Sequence, residues 1–303
     1  CSWCYAKIPS NKQDLIRPAQ IKATLGSSYL HHEKYFQMSY YSGLVIPLTD
    51  HANPEFLFSP MPGNNRHAGL VGGLVTQILL NRNPERFAWT FYIELEGTFL
   101  IRNKQKRTYD LADKPWSRYL KYVRKGALPG ETEPGVNMLT FPTLVRPFGV
   151  ADFSVGWRIV TAPFEFEIGY DLWGSGGERI KLRTEDPESP FNRCAGGENL
   201  FGIAGSGTIV EKGEVIAATA SASTISCQAV DDSTFVPITE NDIDLCSAQS
   251  GSMLNHKIHG AAGIQHMGNR ANGFAGFGFF FEFTQKNTPL ATYGFWFKVG
   301  GTF

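Results

Sequence analysis

From Phe87 to Arg102 the chain alternates without a break over sixteen residues. Phe87, Trp89, Phe91, Ile93, Leu95, Gly97, Phe99 and Ile101 carry no charge, while Glu94, Glu96 and Arg102 fall on the opposite parity. A period of two is the mark of a strand whose faces meet different media. Strands of soluble proteins usually stop at about three to ten residues, so the length of this one points to a span across a bilayer. The pattern recurs: Phe153, Val155, Trp157 and Ile159 oppose Asp152 and Arg158; Phe164, Phe166, Ile168 and Tyr170 oppose Glu165, Glu167 and Asp171; Phe277, Phe279, Phe281 and Phe283 oppose Gly276, Gly278 and Glu282. In a soluble sandwich the aromatic face turns inward; in a membrane barrel it meets lipid and the polar face lines the lumen.

Composition narrows the choice. Charged residues make up 18% of the chain, against about 25% in ordinary globular domains, while 23 Phe and 32 Gly suit long strands with an apolar outer face. The 28 basic and 28 acidic residues cancel, which excludes nucleic-acid binding by bulk basicity. No run approaches the ~18 consecutive apolar residues of a membrane helix.

The last strand carries the most specific signal. Tyr293, Phe295, Phe297, Val299, Gly301 and Phe303 share one parity, opposite Gly294, Trp296, Lys298, Gly300 and Thr302. A terminal Phe closing an amphipathic strand resembles the C-terminal strand of bacterial outer-membrane β-barrel proteins; only Gly301 departs from the usual bulky residue. The resemblance implies that Phe303 is the assembly signal read by the barrel-assembly machinery. Tyr41–Pro47, 56–67 and Trp116–Val123 are also similar to segments of an uncharacterised family of porin-like proteins from intracellular bacteria, a likeness that brings no activity with it.

The fold expected is therefore all-β: a transmembrane antiparallel β-barrel of about twelve strands over residues 31–303, preceded by an N-terminal extension or plug over 1–30. Ten or fourteen strands fit the same bookkeeping. The twelve fall near 35–46, 67–80, 87–102, 107–124, 136–149, 150–161, 163–183, 198–210, 214–225, 256–268, 272–285 and 290–303. Both termini then lie on the periplasmic side, with short turns there and long outer connections at 47–66, 184–197 and 226–255.

The inward parity yields the expected pore lining: Glu94, Glu96, Asp152, Glu165, Glu167, Asp171 and Glu282 against Arg102, Arg158 and Lys298, a formal inner charge of −4. Carboxylates lining a lumen favour cations. The opposing reading is that these acids pair with Arg102, Arg158 or Lys121 and leave a plugged, nearly neutral interior. Trp89 and Trp157 lie on the apolar parity, where indoles anchor at headgroup level; Trp296 points inward.

Five cysteines do not form a zinc pattern. Cys194, Cys227 and Cys246 fall in or beside the long outer connections and are the disulfide candidates; a Cys227–Cys246 bridge would close a loop of about twenty residues worth roughly 3 kcal/mol. Cys1 is read as a cleavage site, a lipidated residue or a boundary of the sequence. His31-His32-Glu33 reads as a polar edge. His256 and His259 are three apart, which on a strand sends them to opposite faces and argues against shared metal ligation. Gly202-x-x-Gly205-x-Gly207 lacks the lysine of a phosphate loop, and no G-x-S-x-G elbow occurs.

The function expected is passive diffusion of small hydrophilic solutes or ions through an outer-membrane channel. No enzymatic activity, metal or cofactor is expected; the partners are outer-membrane lipid, the assembly machinery, the solutes and a second copy in a homo-oligomer. The alternatives are a structural or adhesive outer-membrane barrel without an open pore, and a secreted β-sandwich binding module.

Overall fold

The computed structural model describes residues 3–11, 16–31, 35–57, 59–61, 63–81, 87–124, 131–183, 185–186, 189, 201–203, 209–211, 214–216, 237–267, 272–286 and 291–302. It is all-β and antiparallel, dominated by one sheet of nine strands. These are β1 (Gln20–His31), β2 (Phe36–Pro47), β3 (Gly69–Leu79), β4 (Ala88–Leu100), β5 (Val150–Thr161), β6 (Phe164–Ser175), β7 (Met253–Met267), β8 (Asn272–Lys286) and β9 (Thr292–Thr302). Each pairs antiparallel with the strand before it, in chain order. Among the described residues no sheet closes on itself, and β1 and β9 are the edges.

The two ends of the sheet differ. At one end the strands are joined by 32–35, 80–87, 162–163 and 268–271; at the other, the connections 48–68, 101–149 and 176–252 are long and only 287–291 is short. The expected asymmetry is present, but the assignment of strands changes. Gln20–His31, with Lys22, Thr24, Gly26 and Ser28 on its polar parity, is an edge strand of the sheet and not part of an extension. It begins at the long-connection end, because Gln20 pairs with Pro47, so β1 and β9 start at the same end and finish at the other.

Four expected strands belong elsewhere. Asn103–Thr108, Thr140–Arg146 and Arg179–Leu182 form a separate three-stranded sheet, and Lys121–Arg124 pairs with Glu133–Pro134 and Phe201–Ile203. Asp110–Leu111 meets Ile243–Asp244, and Ile209–Glu211 pairs only with Glu214–Ile216. All but the 209–216 pair gather around one core and build a cap from the long connections. The reason for the correction is burial: Thr140–Arg146 is covered on nearly every residue, so neither of its faces is free for lipid. Alternation in sequence does not separate such a strand from a spanning one.

The hydrophobic core lies in this cap. Tyr109, Tyr122, Leu139, Phe141 and Phe201 are buried completely or nearly so, with Leu111, Met138 and Ile243 around them. Tyr109 stacks on Phe141 at 5.6 Å, and its hydroxyl meets Thr143 Oγ1 at 2.6 Å. Of the buried apolar side chains described, only Val45, Val71 and Leu100 belong to the nine-stranded sheet, all at its capped end.

Candidate functional site

The sheet sorts its side chains by chemistry. One face carries Leu44, Phe99, Trp157, Ile168, Phe277, Phe279 and Phe281, each about half exposed, and on the edge strand Phe295 and Phe297 reach 71% exposure. A soluble sheet buries such a face against another layer; each Phe or Leu left in water forgoes roughly 1.5–3 kcal/mol of burial. Trp89 and Trp157 lie on this face, Trp157 against Phe91 at 5.7 Å. His256 also turns to it and stacks on Phe283 at 5.1 Å, whereas His259 turns the other way, as their spacing on a strand requires.

The opposite face holds all seven expected carboxylates. The register aligns Glu94, Ser154, Asp171, Lys257 and Glu282 in one row across β4–β8, and Tyr41, Gly73, Glu96 and Asp152 in another. Arg158 pairs with Glu165, Lys257 with Asp171 at 2.7 Å and Lys22 with Glu96. Lys298 shares the face, but Arg102 does not; it lies past the end of β4, exposed, in the segment entering the cap, and Lys121 is within the cap. Glu94, Asp152, Glu167 and Glu282 have no Lys or Arg partner among the described residues.

This polar face is concave. Tyr92 on β4 and His259 on β7 belong to one row with Gly156 and Gly169 between them, yet their side chains meet at 3.3 Å. The two glycines make the meeting possible: a Cβ at Gly156 would lie 2.6 Å from the Tyr92 hydroxyl, and one at Gly169 would lie 2.6 Å from the His259 ring. Tyr92 also donates to Glu167 at 3.0 Å. His259 Nδ1 stands 3.2 Å from Asp171, at an angle that makes no hydrogen bond. The motif repeats where Tyr41 lies over Gly73 and donates to Glu96 at 2.5 Å, and where Trp296 covers Gly278. Below the Tyr92–His259 bridge is a cavity of about 510 Å³ whose polar lining is Arg158, Glu165, Glu167, Gln265 and Lys298, with the Trp296 indole as one wall.

Lys22, Lys257, His259, Tyr92 and Tyr41 were not among the residues expected here. Parity was the signal available for Lys257 and His259, but small residues at 260–263 and the register shift between Leu254 and Asn255 blur it. Among the described residues no group of three His, Cys, Asp or Glu could hold a metal, and no helix is long and apolar enough to cross a membrane. Cys246 is an exposed free thiol; Cys194, Cys227 and Phe303 lie outside the described residues.

A buried polar network joins cap to sheet. His67 Nδ1 donates to the Ile101 carbonyl at 2.7 Å, and its Nε2 receives the Gln105 amide at 2.9 Å. Gln105 in turn accepts from Asn65 at 2.7 Å. Burial pushes the His67 imidazole below the usual histidine range, overcoming the opposite pull of the Ile101 carbonyl.

No protein-family model, curated protein or solved structure matches the chain.

Proposed function

We propose that this chain is an outer-membrane β-barrel protein of porin-like kind. Its apolar face contacts lipid, and its concave polar face borders a narrow passage for small ions and hydrophilic solutes. The observation that carries the reading is the inverted sheet: exposed aromatics on one face, and on the other a row of carboxylates in mutual register. Lipid gives the aromatic face the burial that no protein layer supplies. In lipid the edges β1 and β9 must also be paired; since both start at the same end, direct closure pairs them parallel, in a nine-stranded barrel. Four carboxylates without a Lys or Arg partner make the passage cation-preferring, since a low-dielectric wall focuses their field. The connections of the cap, long like those of the outer surface, face the exterior.

A second reading is favoured by the Tyr92–His259 and Tyr41–Glu96 bridges. Side chains fill the interior of a barrel of about eight strands, and these contacts close the concave face so tightly that the barrel would serve as a scaffold presenting its cap. Planar-bilayer recording of the purified protein separates the two. The channel reading expects steps of conductance with a reversal potential on the cation side in a KCl gradient. Absence of conductance at every voltage leaves the scaffold, and a clear anion preference contradicts the charge assignment.

A further inference from the structure

Three aromatic rings on the cap form a ladder that the membrane reading does not use. Tyr119 stacks with Trp116, at 6.1 Å and 26°, and with Trp3, at 6.3 Å and 27°. The rings come from chain segments more than a hundred residues apart, and none is buried: Trp3 is 41%, Tyr119 38% and Trp116 72% exposed.

The base beneath them is rigid. Ser117 is buried and its hydroxyl receives the Leu111 amide at 2.7 Å. Arg118 clamps Asp110 through two side-chain bonds at 2.9 and 2.8 Å and a backbone bond at 2.9 Å. Tyr122 donates to the Ser117 carbonyl at 3.1 Å. On the other side the Cys4 amide donates to Asn137 at 2.7 Å and fixes the segment that carries Trp3.

Trp116 itself sits at φ 68°, ψ 9°. For a bulky residue this left-handed backbone is an outlier that surrounding structure must enforce. Glycine or asparagine would occupy the position without that strain. A packing role would justify a large side chain there, but the indole is left mainly to solvent. A flat ring held in a strained position on a hydrogen-bonded turn, with most of its surface exposed, is a pre-organised stacking surface. Asp113, exposed, and Lys114, half-buried, lie on the same turn.

We propose that the Trp3–Tyr119–Trp116 ladder is a carbohydrate-binding platform. A pyranose ring presents an apolar C–H face that fits a flat indole, and edge hydroxyls that the polar side chains of the turn, Asp113 and Lys114, can hydrogen-bond. No covalent step is involved. The proposal does not depend on whether the sheet conducts.

The test is isothermal titration calorimetry of the whole chain in a zwitterionic detergent without a sugar headgroup, using maltoheptaose and chitohexaose as probes. Saturable binding of at least one is expected, with affinity at least tenfold weaker in Trp116→Ala. Trp116→Asn, which accepts the left-handed backbone while removing the ring, should show the same loss with an unchanged unfolding midpoint. Phe295→Ala, remote on the sheet, should bind as the parent does. Failure of both sugars to bind at millimolar concentration overturns the proposal, as does undiminished binding by both Trp116 variants. Binding only to phosphatidylcholine vesicles, lost in Trp116→Asn, also overturns it and makes the ladder a membrane anchor.

Discussion

Tyr92 Oη lies 3.3 Å from His259 Nε2 although two strands separate the residues in the sheet. Neighbouring strands stand about 4.8 Å apart, so a flat sheet would hold the two backbones roughly three such spacings from each other. The meeting therefore requires both curvature and bare backbone between them, which Gly156 and Gly169 provide. Gly169→Val should push the His259 ring and the Tyr92 hydroxyl apart and cost about 1–3 kcal/mol, the usual range for overpacking. Urea unfolding of the refolded protein checks it; an unchanged midpoint would show that the bridge is not tight.

Charge on the apolar face is expected to be costly. Phe279 lies near the middle of β8, half exposed on that face. Phe279→Lys should cost about 2–4 kcal/mol in a bilayer, as at the midplane of membrane barrels. Ile8→Lys, at an exposed apolar residue outside the nine strands, should change stability by under about 0.5 kcal/mol. Equal effects at the two positions would argue that water covers both.

Neutralising the acids that lack a Lys or Arg partner should weaken cation preference. Glu94→Gln with Asp152→Asn removes two of them without touching an ion pair. The reversal potential in a KCl gradient is expected to move toward zero, while Lys298→Gln moves it the other way. A shift in the opposite sense for the double variant would contradict the assignment of these residues to the passage.

Acid should loosen the cap before the sheet. The folded His67 imidazole titrates below its unfolded value, so its contribution is complete above about pH 6.5 and is lost as pH falls through the lowered folded value. Protonation of Nε2 would set an N–H against the Gln105 amide. For Asp110, burial pushes the carboxyl up, but the Arg118 bonds outweigh it and hold the group below the usual carboxylate range. Its contribution is thus present above about pH 3.9 and lost at still lower pH. Amide protection factors at Tyr109 and Leu139, corrected for intrinsic exchange at each pH, should fall in two stages on acidification, and His67→Gln should abolish the first. Protection factors that stay constant from pH 7 to 4 would count against this coupling.

Eight strands of the sheet were legible from alternation, because β2 to β9 each carry apolar residues on one parity. β1 carries the same alternation, Ile21, Ala23, Leu25 and Tyr29 opposite Lys22, Thr24, Gly26 and Ser28, but Ser27 and Leu30 fall on the wrong parities and weaken it. The cap is less legible for a different reason. Its strands are short, the central Thr140–Arg146 is covered on both sides, and pairs such as Leu111 with Ile243 join residues far apart in the chain. The carboxylates were assigned to one face by parity alone. Their partners were not, because whether Lys22 reaches Glu96 across two intervening strands depends on curvature, which a single strand's sequence does not encode.

The central claim is that lipid covers the aromatic face, and a nitroxide scan along β8 tests it most directly. Single cysteines from Ala275 to Phe283, in a background with the five native cysteines replaced by serine, are spin-labelled after reconstitution into phospholipid vesicles. Labels at Ala275, Phe277, Phe279, Phe281 and Phe283 should be relaxed by oxygen. Labels at Gly276, Gly278, Phe280 and Glu282 should respond more to a water-soluble nickel chelate. The account predicts this alternation at period two; relaxation by the chelate at all nine positions, or the reverse phase, would contradict it.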